Sequence, residues 1–528
     1  MDPALAAETL ALSKQKALRE ALQRGDSEVS AFYKDSVVFI TGGSGFLGKQ
    51  LVEKLFRCTD VRKIYLLLRG KRGKSSHERL EEILKDPVYS SLHTESPDFK
   101  KKIVAVEGDV SQLKIGLCED DWQTLSNEVN VIFHVAATVN FQEPIQKATL
   151  TNVRGAREMV NLAKCCKHLR SIVHVSTAFA HATRSRVKSE VLEDFYQSPV
   201  APEELIRLAE ASNNERLEEI KNKWVFLIFC DWPNTYTFTK AVGEEVIRQM
   251  GKNLPICIVR PAIVTAAFRE PTPGWVDENN VFGASGLILG MTMGIIHTIQ
   301  AESENHIDLV PVDLVNNALV AAAWETAHSD QLKIYTATNT RNSVTWGELK
   351  EIFEGYLAKG DLPPGELVYM FGYSENFDSV IQEYPWRHLL MSSGIFLKLY
   401  QKVTALSTVL SYFLMNDWIF RDDNLQQLYK KLSTTDHDLY NFDMSSVNYK
   451  ELIIMWHLGI RKFIVKDGLK DTQYGIKKQK WLKLLTIILF PIYLYCLYQM
   501  FFLAGSRKGH VVLLLYFYCL GVFLIYIG

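Results

Sequence analysis

The sequence predicts a doubly wound α/β fold: an open parallel sheet covered on both faces, with an apolar tail at the end of the chain. Three observations carry that expectation. Short apolar runs alternate with amphipathic stretches from Val37 to about Ile263. A glycine-rich turn follows the first run, and a tyrosine–lysine pair four residues apart precedes the last. Strands buried on both faces read as continuous apolar runs, because crossover helices cover them on either side.

The runs are Val37–Ile40, Ile64–Leu68, Ile103–Val106, Val131–Val135, Ile172–Val175 and Ile256–Val259. In a sheet of this kind ligands bind beyond the carboxyl ends of the strands. The residues just after each run are therefore the candidate site. Residues 1–33, ahead of the first run, are polar and helix-prone and lack the apolar stretch of a signal peptide.

After the first run stands Thr41-Gly42-Gly43-Ser44-Gly45-Phe46-Leu47-Gly48. Gly42 suits a tight turn, Gly45 admits a pyrophosphate close to the backbone, and Gly48 lets helix and sheet pack closely. Phe46, Leu47, Leu51, Val52 and Leu55 supply the buried face of the next helix, whose N-terminus faces the phosphates. Thr41, Gly42, Gly45, Phe46, Leu47 and Gly48 are thus expected to bind a dinucleotide in a Rossmann-type sheet.

The second run ends Leu68-Arg69-Gly70-Lys71-Arg72-Gly73-Lys74, with no carboxylate for a ribose 2′-hydroxyl. Asp60 lies before that run, at its wrong end. A basic cluster fits a 2′-phosphate, with Arg69 best placed for a forked contact, so NADPH is the expected cofactor. A solvated basic loop is the plainer alternative. After the third run Asp109 is placed for the adenine amine, with Val110 beside it. After the fourth, Ala136 and Ala137 are small enough for the cofactor to lie against them. His134 reads as a packed strand residue, and Cys165-Cys166 as helix filler.

A free phenol has a pKa of about 10 and is a poor acid–base group at neutral pH. One helical turn from Tyr236, the Lys240 ammonium is expected to lower that value and to reach the nicotinamide ribose. A hydroxyl at the end of the fifth run should complete the group; Thr177 is preferred and Ser176 is the second choice. Pro261 and Ile263, after the sixth run, complete the expected cofactor contacts.

At 528 residues the chain exceeds one ordinary core. A net charge of −1 gives no footprint for nucleic acid. The eight cysteines form no CxxC or zinc spacing, so free thiols in a reducing compartment and no metal are expected. At the end, Trp481–Ala504 carries Lys483 as its only charge and Val511–Gly528 carries none. About 20 apolar residues cross a bilayer, so both are expected membrane segments, against the alternative of a buried helix pair. Lys477, Lys478, Lys480 and Lys483 argue for a cytosolic catalytic part, while Arg507 and Lys508 argue the other way for the turn between. Two crossings and a re-entrant hairpin both stay open.

Several stretches resemble the wording of one family: Thr41–Lys49, Asn234–Lys240, Arg260–Val264, Glu270–Trp275 and Pro311–Asp313. Further on, Asp417–Phe420, Asp422–Asn424, Phe442-Asp443 and Gly459–Arg461 continue it. Together they resemble the extended short-chain dehydrogenases/reductases, and more narrowly the alcohol-forming fatty acyl-CoA reductases. The resemblance implies an NADPH-binding reductase domain at 34–360 and a separate C-terminal helical domain at 361–475, with membrane segments at 481–504 and 511–528. It also implies that long-chain acyl-CoA and two NADPH give a primary alcohol and CoA through an aldehyde, with Tyr236 and Thr177 stabilising the oxyanion. No acyl-cysteine is needed.

The chain departs from that family at Val281–Gly286, where a Gly-Pro turn is usual, which bears on chain-length preference. Ser285–Ile296 reads either as an acyl tunnel wall or as a core helix, and Pro202–Lys223 as a surface helix in preference to a lid. The rival readings are a membrane-bound sterol dehydrogenase or nucleotide-sugar epimerase of the same fold, and a catalytically silent cofactor-sensing scaffold. The expected location is a membrane, the endoplasmic reticulum in preference to the peroxisome.

Overall fold

Residues 2–70, 73–211, 231–279, 281, 283–292, 301–352 and 410–503 are described by the computed structural model of the chain. Seven strands form its main sheet: β1 (Val37–Thr41), β2 (Lys63–Leu68), β3 (Ile103–Glu107), β4 (Val131–His134), β5 (Ser171–Val175), β6 (Ile256–Pro261) and β7 (Ile334–Ala337). Their spatial order is β7-β6-β5-β4-β1-β2-β3, with every neighbouring pair parallel. The chain runs outward from β1 to β3, returns to β4 beside β1, and then runs outward the other way. That reversal opens a crevice past the ends of β1 and β4.

The strand residues divide as a two-sided sheet requires. Val38 and Ile40 join one hydrophobic core, while Val37 and Phe39 join the other. Each face is then closed by helices, among them α1 (Phe46–Cys58), α2 (Thr235–Met250) and α3 (Val312–Thr326). β7 had no run to announce it, being four residues that include Tyr335 and Thr336.

The C-terminal region is packed into the same core as the sheet. Residues 361–409 lie outside the described residues, but from Leu410 onward the chain is joined to the reductase side at many points. Ile419–Phe420 pairs in parallel with Glu190–Val191, so the region is not purely helical. In α4 (Tyr449–Gly459), Gly459 meets Gly274 so closely that a Cβ on Gly459 would lie 1.6 Å from the Gly274 carbonyl oxygen. Two of the stretches that carry the sequence resemblance therefore interlock. A third, Pro311–Asp313, ends on a carboxylate that accepts from the backbone amides of Phe268, Arg269 and Glu270. Glu270 in turn takes Lys54 of α1 at 2.7 Å, and Lys54 also donates to the Leu439 carbonyl.

The N-terminal extension is ordered as the helices Pro3–Ser13, Lys16–Arg24 and Glu28–Tyr33. It straps the C-terminal region: Ser27 donates to Asp436, and Thr472 donates to Asp2 at 2.6 Å. Tyr33 is fully buried, its hydroxyl on the Val320 carbonyl.

The last described helix, α5 (Thr472–Leu503), contains Pro491 and has Lys477, Lys478, Lys480 and Lys483 in its first half. Among the described residues no helix is long and apolar enough to cross a membrane. Trp481, Leu484, Ile488, Ile492 and Tyr495 of α5 are exposed, at spacings that put them on one side of the helix. The expected second segment, 511–528, lies outside the described residues.

Candidate active site

At the crevice, Gly42 has φ +76°, and a Cβ there would lie 2.7 Å from the Ala136 amide nitrogen. Any other residue at 42 would be strained and would push the β4 loop away. A Cβ on Gly48 would come within 2.3 Å of the Gly42 carbonyl oxygen, so helix and turn touch as expected. Gly45 begins α1 without a side-chain cap, leaving first-turn amides for an anion. Ala136 and Ala137 are half-buried at the same place.

Thr41 differs from expectation. Its side chain is fully buried, paired with His134 Nδ1 at 2.8 Å and accepting from the Ala136 amide at 3.2 Å. It acts on the crevice by holding Ala136. Phe46 stacks on Trp275, ring centroids 5.2 Å apart, and the Leu47 carbonyl accepts from Asn316.

Past β2 and β3 lies a cavity of about 450 Å³ lined by Arg69, Gly70, Glu107, Gly108, Asp109 and neighbours. Arg69 Nη1 and Asp109 Oδ2 face each other there at 3.6 Å. Val110 is buried under Gly155 and packs rather than lines. Lys71 and Arg72 lie outside the described residues. A second guanidinium was missed: Arg79, on the helix after the basic loop, donates to the Arg69 carbonyl at 2.5 Å. Its pKa is lowered by burial and by Arg69 beside it.

The proton-handling group lies at the end of β5. Asn234 caps α2 by accepting from the Thr237 amide at 2.9 Å, which sets Tyr236 in the first turn. The Thr177 hydroxyl lies near enough to the Tyr236 phenol to act on its pKa, and it donates to the Pro261 carbonyl at 3.3 Å. Lys240 is buried and donates to the Val175 carbonyl at 2.7 Å. Burial pushes the Tyr236 phenol up to about 12, only partly offset by Thr177. The expected downward shift from Lys240 is therefore reversed. Burial also draws Lys240 down to about 8, against the pull of Glu244. The group brings a protonated phenol and a hydroxyl together, with an amine that titrates near neutrality behind them.

Ser176 is turned away. Its hydroxyl donates to Glu244 at 2.5 Å, in a buried cluster with Arg260 and His181. Burial alone would raise the Glu244 carboxyl, but Arg260 and His181 hold it well below the usual range. Ile263 sits in a short strand paired in parallel with Leu309–Pro311.

Two further residues escaped sequence reading. Asn152, in a π-helical turn at Thr149–Arg154, accepts from the Thr138 amide and donates to Thr239 Oγ1 at 2.9 Å. It ties the loop after β4 to α2, and only the helix irregularity marks it. Phe141 stacks on Tyr236, centroids 5.7 Å apart, and its carbonyl accepts from Thr235. Of the expected acyl-side stretches, Gly283–Thr292 is helical with Leu287 and Ile288 buried. Pro202–Ala211 is a helix that buries Leu205, Ile206 and Ala209; residues 212–223 and 293–296 lie outside the described residues.

Comparison with known proteins agrees with this geometry. The family described as Male sterility protein matches residues 40–319 with its NAD-binding part and 386–467 with its Sterile part. The chain is 34% identical over 485 residues to Fatty acyl-CoA reductase wat of Drosophila melanogaster, covering 88% of this chain and 90% of that one. It is 34% identical over 458 residues to Fatty acyl-CoA reductase 1 of Rattus norvegicus, covering 83% and 86%. Two solved structures share the fold. The terminal R domain of the myxalamid PKS-NRPS pathway has a TM-score of 0.55 at 23% identity, covering 81% of this chain and 90% of that one. The R domain of a nonribosomal peptide synthetase from Mycobacterium tuberculosis has a TM-score of 0.54 at 19% identity, covering 87% and 99%.

Proposed function

Since the chain belongs to the fatty acyl-CoA reductases, we propose that Tyr236, Thr177 and Lys240 carry its chemistry, with NADPH as the reductant. The reaction of the family turns a fatty acyl-CoA into a primary alcohol and free CoA through an aldehyde. The nicotinamide coenzyme, when bound, supplies one hydride for each of the two reductions. The hydroxyls of Tyr236 and Thr177 donate to the carbonyl oxygen as negative charge develops on it. Collapse of the first adduct breaks the carbon–sulfur bond and releases CoA thiolate, leaving aldehyde. In the second reduction Tyr236 gives its proton to the alkoxide, and Lys240 re-protonates the phenolate.

The observation that carries this reading is the convergence at the end of β5 of Tyr236, the Thr177 hydroxyl and Lys240, whose ammonium donates to the Val175 carbonyl. A phenol held near 12 is a donor at neutral pH, which is what an oxyanion needs. Tyr236→Phe is expected to lower alcohol formation by about 10²–10⁴-fold while coenzyme still quenches tryptophan fluorescence. Alcohol made at the parent rate would remove the assignment.

The Gly42–Ala136 cradle and the uncapped start of α1 fit a dinucleotide. Arg69, backed by Arg79, supports a 2′-phosphate. The exposed side of α5 and its lysines support attachment to a membrane through residues 481–504, with the catalytic part in the cytosol and the endoplasmic reticulum as the site.

A further inference from the structure

We propose that Phe413, supplied by the C-terminal region, forms the acyl-side wall of the site and retains the aldehyde between the two reductions. The inference rests on chemistry at Tyr236. Three rings follow one another away from that phenol. Phe141 stacks on Tyr236, Phe413 lies 5.5 Å from Phe141, and Phe179 lies 5.2 Å from Phe413. Phe179 also donates its amide to Thr177 Oγ1 at 3.3 Å. The Phe141 ring therefore flanks the Tyr236 phenol, and Phe179 is tied to Thr177 through its backbone. Phe179 and Phe413 lie outside the loops after β1 to β4 that carry the dinucleotide features, while Phe141 shares the β4 loop with Ala136 and Ala137 and stands between the two sides. All three are only partly buried, so apolar surface remains to meet an alkyl chain.

Phe413 is held there by hydrogen bonds that the residues on either side of it make to the backbone after β5. Tyr412 donates its hydroxyl to the Ala182 carbonyl at 3.3 Å, and Trp418 Nε1 donates to the Thr183 carbonyl at 3.3 Å. The Lys188 amide donates to the Asp417 carbonyl at 2.7 Å. These acceptors and donors belong to the stretch that leaves β5 and carries Thr177, so the ring keeps its place relative to the reacting carbonyl.

The chemistry makes such a wall useful. In the first reduction a C–H bond forms, the C–S bond breaks, and CoA leaves as thiolate that takes a proton from solvent. In the second, a C–H bond forms and the C=O electron pair takes the Tyr236 proton. Coenzyme exchange separates the two. During that interval the substrate has lost its CoA handle, and its alkyl chain is what holds it. Apolar contact at the carbonyl end then sets the ratio between onward reduction and escape.

The test supplies palmitoyl-CoA and NADPH to the full chain, with hydroxylamine present to capture released aldehyde as oxime and an enzyme-free blank subtracting the thiol that hydroxylamine frees directly from the thioester. The parent should oxidise two NADPH for each thiol released and give almost no oxime. Phe413→Ala should raise the oxime share, counted per thiol released, roughly ten-fold, the weight of about 1.4 kcal/mol. Its NADPH-to-thiol ratio should fall below two by the share of aldehyde captured as oxime. Phe413→Leu, which keeps most of the bulk, should fall between the two and carries the test if the alanine variant does not fold. A folded variant that keeps the ratio of two and yields no extra oxime overturns the proposal. Failure of the underlying site would look different: Tyr236→Phe would then make alcohol at the parent rate.

Discussion

Adjacent residues at the end of β5 show how a site is chosen. Ser176 and Thr177 are equally plausible hydroxyls, but successive side chains of a strand point to opposite sides. Thr177 meets Tyr236, and Ser176 meets Glu244. Glu244 in turn bears on Lys240 one turn earlier in α2, opposing the burial that draws the amine to about 8. His134 and His174, on β4 and β5 near the same amine, are both kept neutral by burial. An ammonium is present below its pKa and lost above it. Alcohol formation that needs charged Lys240 should therefore fall as pH rises through about 8. In Glu244→Gln that limb should move to lower pH, whereas an unmoved limb would detach Glu244 from Lys240. At the other end of the crevice, Arg69→Ala should raise the KM for NADPH by about 10–100-fold, from the roughly 1.5–3 kcal/mol of a charged hydrogen bond. The KM for NADH should stay nearly constant; equal effects on both coenzymes would place Arg69 outside the 2′-phosphate site.

At the scale of elements, apolar runs marked the first six strands to within one or two residues. They succeed because most of these strands are buried on both faces, where apolar side chains dominate; β3, at the sheet edge with Val104 exposed, is apolar all the same. β7 escaped because Tyr335 and Thr336 break the run, and it is four residues long. The glycines of the first turn were legible for the same kind of reason: Gly42 and Gly48 answer to local sterics. Gly459 was not, since its partner Gly274 lies far away in sequence and a motif does not state its partner. Gly459→Ala should destabilise the protein by about 1–3 kcal/mol or more, because the new methyl has no room against the Gly274 carbonyl. Denaturant unfolding of the two proteins measures it, and an unchanged midpoint would contradict the interlock.

Over the whole molecule, the C-terminal region and the N-terminal extension are one structure with the sheet. Lys54 on α1 reaches both Glu270 and the Leu439 carbonyl, and Asn317 on α3 reaches both Glu270 and the Asn441 carbonyl. Breaking one partner of such a buried pair leaves a charge without compensation, which explains why three separated motifs converge on the same few residues. The terminal helix extends from this body with apolar side chains outward. Removal of residues 481–528 should shift the protein from the membrane pellet to the supernatant on fractionation, with reduction of a short-chain, water-soluble acyl-CoA retained. A full chain found in the supernatant would count against a membrane foot. The sequence by itself determined the parallel sheet, the dinucleotide turn, the tyrosine–lysine pair and the family, because each is written in local spacing and backbone sterics. Only the tertiary structure decided which hydroxyl faces the phenol, in which direction its pKa moves, and that a ring from residue 413 lies against Phe141 beyond it. Those depend on burial and on contacts between distant segments, which no local pattern encodes.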